Sequence, residues 1–64
     1  MNITYDPETD TMTLVFSNNP VAESDAGKPN IIMDYDADGH IVAMEILDAS
    51  HQMSDVRHVD FKVA

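Results

Sequence analysis

Asp34, Asp36 and Asp38, followed by Gly39, Ile41 and Glu45, reproduce the spacing of a calcium-binding loop, with a glycine for the sharp turn and a glutamate at the twelfth position. Hard oxygen ligands gathered in this way would hold a divalent cation. The flanking residues argue against it. Such a loop joins two helices, whereas Pro29 to Met33 is short and β-branched and the residues after Gly39 alternate like a strand. In a hairpin Glu45 lies far down the second strand, so residues 34–45 read as an acidic β-turn, and a calcium-binding module ranks third among the functional readings. Micromolar calcium binding that is lost on Asp38→Ala is the result that would reverse this order.

His40, His51 and His58 are scattered without metal-ligand spacing, and turn or surface positions account for them. The chain has no cysteine, no serine, threonine or lysine in a nucleophile motif, and only two glycines, too few for a phosphate-binding loop. No catalytic residue, metal ligand or cofactor is assigned, and an enzyme is not expected. The methionines at 12, 33, 44 and 53 suit gap-filling in a small core better than an adaptable groove.

The elements that must position these residues follow from periodicity. Ile3 and Tyr5 alternate with polar residues up to a turn at Asp6-Pro7-Glu8-Thr9-Asp10. Thr11 to Phe16 then alternates again, with Met12, Leu14 and Phe16 on one side. The two runs make a hairpin. Asn30 to Asp36 and His40 to Leu47 make a second, with Ala37-Asp38-Gly39 as its turn. Ser17 to Pro29 is polar and reads as a connecting loop with a short edge strand around Val21 to Glu23. Residues 48–54 can form one helical turn, capped by Asp48 or Ser50. Val59, Phe61 and Val63 alternate as a half-buried final strand. The expected fold is mostly β (α+β): about five strands in a twisted antiparallel sheet, built from two hairpins plus the C-terminal strand, with one short helix. Val15, Ile32 and Leu47 remain for the opposite face.

Sixty-four residues make a single domain, 1–64, of marginal stability, for which a dimer is a natural support. Absence of cysteine favours the cytoplasm, no apolar run is long enough to cross a bilayer, and the N-terminus lacks the pattern of a signal peptide. Twelve acidic residues against three basic ones give a net charge of -9, which disfavours direct nucleic-acid binding and favours a basic partner.

The chain resembles a family of small bacterial proteins catalogued as domain of unknown function 2283. The resemblance lies in Tyr5-Asp6-Pro7-Glu8-Thr9-Asp10 before an apolar strand, Tyr35-Asp36-Ala37-Asp38-Gly39 with Ile41, and Glu45-Ile46-Leu47-Asp48-Ala49-Ser50. It implies a compact β-rich fold and supplies no catalytic residues.

If the four hairpin strands run up, down, up, down, both turns fall at one end of the sheet, and Asp6, Glu8, Asp10, Asp34, Asp36 and Asp38 share one rim. Like charges about 10 Å apart repel by roughly 0.4 to 1.7 kcal/mol per pair before screening, a cost that a functional rim would justify. The leading expectation is a DNA-mimic inhibitor of the anti-CRISPR kind, whose carboxylates occupy the basic track of a nucleic-acid-binding protein. Neutralising Asp6, Asp10, Asp36 and Asp38 to Asn should then abolish inhibition without unfolding the sheet. The alternative is a structural or regulatory interaction module, antitoxin-like or homodimeric, that pairs through an edge strand or through Val15, Ile32 and Leu47.

Overall fold

A computed structural model describes residues 1–64. It contains β1 (Asn2–Asp6), β2 (Thr11–Val15), β3 (Glu23–Lys28), β4 (Ile31–Tyr35), β5 (Ile41–Ile46) and one helical turn, α1 (Ala49–Gln52). The strands form one antiparallel sheet in the order β1-β2-β5-β4-β3. The mostly β, five-stranded fold expected from alternation is the fold observed.

Register assigns the faces. Ile3 pairs with Leu14 and Tyr5 with Met12; Met12 pairs with Ile46, Leu14 with Met44, and Met33 with Met44. Cross-strand partners share a face, so the alternating apolar residues of four strands converge on one side. Thr4, Thr13, Glu45 and Asp34 lie on the other, with Val15 and Ile32. The core is small: Met12 is 6% and Val42 5% exposed, and Ala49 is fully buried. The remaining apolar residues of the face are half-buried, as expected of a sheet with no second layer packed along its length.

Two elements differ from the sequence expectation. The fifth strand is β3, not the C-terminal segment. Glu-Ser-Asp-Ala-Gly-Lys has no apolar periodicity and every residue of it is exposed, so no sequence signal marks it beyond Glu23. Its strand geometry comes from the partner: β4 offers a free row of backbone groups, and Pro29-Asn30 closes a two-residue loop with Asn30 at φ 64°. Proline followed by a left-handed Asn suits a type II turn. A bulge between Asp25 and Lys28 twists this edge, a common protection against unwanted pairing. The expected strand at Val59, Phe61 and Val63 is not formed. Its alternation favours extended backbone, but nothing within the chain pairs with it, and Phe61 and Val63 stay 76% and 86% exposed.

Because β3 inserts one extra chain reversal, β4 runs in the same direction as β2 rather than opposite to it. The turn after β1 is therefore at one end of the sheet and the turn after β4 at the other. Phe16 to Ala22 runs between the end of β2 and the far edge, tied by Phe16 N–H and Ser17 N–H to the Val42 carbonyl (2.8 and 3.3 Å) and by Ala22 N–H to the Tyr35 carbonyl (2.7 Å).

Candidate interaction surfaces

The six carboxylates expected on one rim divide three and three. Asp6, Glu8 and Asp10 belong to the β1–β2 turn; Asp34, Asp36 and Asp38 lie at or beside the β4–β5 turn at the opposite end. Five residues of strand separate these ends by about 17 Å at 3.4 Å per residue. That is roughly twice the Debye length at physiological salt, so the two clusters repel each other only weakly. The shared rim is thus corrected by the parity of the chain reversals.

Most of these carboxylates are also engaged locally. At the first end, Asp10 holds a left-handed turn (φ 51°) and accepts from Tyr5 Oη (2.7 Å), Ser50 N (3.0 Å) and Ser50 Oγ (2.7 Å). Its backbone carbonyl accepts from Ala49 N at 2.9 Å. Asp10 therefore satisfies the first N–H groups of α1 from a distant turn. The expected caps do not: Asp48 makes no side-chain cap, and its carboxylate lies 2.8 Å from His51 Nδ1. Hydrogen bonds from Ser50, then from Tyr5, hold the Asp10 carboxyl below the usual carboxylate range, and the same bond to Asp10 pushes the Tyr5 phenol up. Asp10→Asn is expected to release α1, with fast amide exchange at Ala49 and Ser50 while exchange across β2 and β5 stays slow. Hydrogen exchange resolved by residue checks this.

At the second end, Asp36 is buried and accepts from Asp38 N and His40 N, each at 2.9 Å, and from Asn19 Nδ2 at 3.1 Å. The His40 amide and then Asn19 lower its carboxyl from the ordinary value. Gly39 takes φ 85°, as its position in the turn suggested. Asp6 Oδ1 accepts from Glu8 N (2.9 Å), and Asp34 Oδ1 accepts from Ser24 Oγ (2.6 Å). Of the six, only the side chains of Glu8 and Asp38 accept no hydrogen bond from the protein. Asn replacement at Asp6, Asp10, Asp36 and Asp38 would therefore disturb the turns themselves, contrary to the sequence expectation.

Two trios have ligand atoms within 4.8 Å of one another: Asp10, Asp48 and His51, and Asp36, Asp38 and His40. Turn and cap hydrogen bonds account for the central carboxylate of each. The calcium-loop set is not gathered. Asp34 turns to Ser24, and Glu45 sits across from Ile32 and Thr13 in mid-sheet.

The surface that remains is apolar. Between β1 and β4 the face carrying Tyr5, Leu14, Met33 and Met44 bears no charged side chain, on a chain of net charge -9. Val56, Arg57 and Val59 line a shallow depression with Met1, Ile3, Tyr5 and Met12, so the C-terminal segment crosses the β1 side of this face. A second depression on the β3–β4 side is floored by Ile31, Met33 and Tyr35 and rimmed by Asp25 and Lys28. Alternation revealed which residues share the face. That it would lack a cover could not be read without knowing that the last apolar run leaves the sheet.

A family model described as "Protein of unknown function (DUF2283)" matches residues 2–50, which span all five strands and the start of α1. No curated protein and no solved structure matches the chain.

Proposed function

We propose, from the premise that the chain belongs to the DUF2283 family, that it is a non-enzymatic protein-interaction module binding through the apolar face of its sheet. One observation carries this reading: on a strongly acidic chain, the strand residues Tyr5, Leu14, Met33, Met44 and Ile46 form an apolar face without a charged side chain, and all five are only half-buried. Patches of this kind mark interaction sites. Association there would release water from apolar area and keep the carboxylates of both sheet ends in solvent, so affinity would depend weakly on salt.

Electrostatic competition with nucleic acid for a basic protein is the second reading, and the net charge of -9 favours it. Its support is weakened by the division of the carboxylates between two ends and by their local hydrogen bonds.

Photo-crosslinking in cells separates the two. A photoreactive phenylalanine at Phe16, a partly exposed aromatic that alternation with Met12 and Leu14 assigns to the apolar face, is expected to give a discrete adduct in cells that also forms when lysate is irradiated in about 0.5 M salt, where screening acts within about 4 Å. Adducts formed only from probes at Glu8 or Asp38, and lost at that salt, would overturn the apolar-face reading in favour of the electrostatic one.

A further inference from the structure

We infer that the apolar face is covered by a second copy of this chain, with each copy's C-terminal segment lying in the β3–β4 depression of the other. The inference rests on the proposed interaction face and names its occupant.

The first argument is area. A compact 7.1 kDa monomer is expected to expose about 4,100 Å², whereas this chain exposes 4931 Å². The excess, roughly 800 Å², is about what one partner contributes to a standard stable interface. The shape agrees: extents of 33 × 30 × 19 Å describe a plate, whose broad face is what a second plate can cover.

The second argument is charge. Two copies of net charge -9 repel wherever carboxylates meet, and the central apolar face is the one broad surface where they do not. A two-fold contact there pairs the same patch with itself. It leaves the β1–β2 and β4–β5 turns outside the interface.

The third is the C-terminal segment. Beyond Val59, which lines the depression on the chain's own β1 side, Phe61 and Val63 are exposed by 76% and 86%. His58 Nε2 lies 3.3 Å from Asp60 Oδ1; residues two apart on one side are what extended backbone provides. The segment is thus an apolar strip with Asp60 and Lys62 on its back. The β3–β4 depression presents an apolar floor with Asp25 and Lys28 on its rim, charges opposite in sign to the Lys62 and Asp60 that flank Phe61.

Sedimentation equilibrium of the purified full chain tests it. The expected species has twice the 7.1 kDa chain mass at micromolar concentration. Phe61→Ser, at a position too exposed to support the monomer fold, is expected to weaken association by about tenfold or more. Lys62→Glu should weaken it less, and Lys62→Glu with Asp25→Lys should recover it. A chain that remains monomeric from about 1 µM to about 1 mM, with its circular dichroism intact, overturns the inference. So does a dimer indifferent to Phe61→Ser. If the chain is monomeric but Phe16 still crosslinks to a foreign protein, the interaction-face reading survives; if Phe16 crosslinks to nothing, both fail.

Discussion

Met12→Ala is expected to unfold the protein at ordinary temperature. Met12 is the largest of the side chains buried in this fold, on a central strand between Tyr5 and Ile46. Truncating a buried methionine costs about 2–5 kcal/mol, and a core of this size rarely supplies more than about 3–5 kcal/mol in total. The loss is comparable to the whole. Met12→Leu, close to it in volume, should cost less than about 1.5 kcal/mol and keep the fold. Urea unfolding followed by circular dichroism at several protein concentrations checks both, since a dimer makes the midpoint rise with concentration. A Met12→Ala variant with the original midpoint would place the core elsewhere.

Asp36→Ala is expected to be the most damaging change at any carboxylate, and Asp38→Ala, two residues away, to be nearly silent. Asp36 organises its turn by accepting from two backbone N–H groups and also holds Asn19 of the crossing loop. Alanine leaves those donors without partners at a buried position. The Asp38 side chain accepts no bond within the protein. Asp36→Asn keeps one acceptor oxygen and should fall between the two.

The same geometry fixes the pH response. Asp36 and Asp10 titrate below their ordinary value of 3.8 when folded. Their stabilising contribution is therefore complete above the unfolded carboxylate pKa and is lost as pH falls through the lowered folded values. Thermal midpoints should decline below about pH 4. Asp36→Asn should flatten that decline by removing one of the two groups; an unchanged acid limb would contradict the assignment. At the alkaline side, the raised Tyr5 phenol contributes below its unfolded pKa of about 10 and loses that contribution as pH rises through the folded value.

Much of the fold was legible in alternation. Ile3 and Tyr5, Met12 and Leu14, and Met44 and Ile46 each recur with the period of two that a single sheet face requires, and register places them with Met33 on one side. Asp38-Gly39 marked its turn for the same kind of local reason: the backbone needs positive φ and glycine supplies it. β3 was not legible, because a strand built from Glu-Ser-Asp-Ala-Gly-Lys owes its geometry to the free edge of β4 and not to its own side chains. That single omission changed the parity of the chain and carried the acidic residues to opposite ends. Val59, Phe61 and Val63 show the converse: their pattern specifies extended backbone but cannot specify a partner, and within one chain there is none.

The candidate surface was legible only in part. Charge in the sequence drew attention to Asp10 and Asp36, but a carboxylate's role depends on which donors reach it. Ser50 is forty residues from Asp10, and only the folded chain brings them together. Asp36 offered a local hint, since an Asp two residues before another polar turn residue often accepts its backbone N–H. The apolar face drew less attention because each strand looked like half of an ordinary core.

The most direct test of the central claim is methyl NMR with the methionines labelled and a soluble paramagnetic agent added. Met33 and Met44 lie on the open part of the apolar face and report its accessibility without substitution. Both methyls are expected to be shielded in the assembled protein and to become accessible on dilution or in Phe61→Ser. Met33 and Met44 methyls that relax strongly at every concentration and in the presence of cell extract, while the backbone amides of Glu8 and Asp38 in a nitrogen-15-labelled sample become protected, would contradict it and return the function to the charged ends of the sheet.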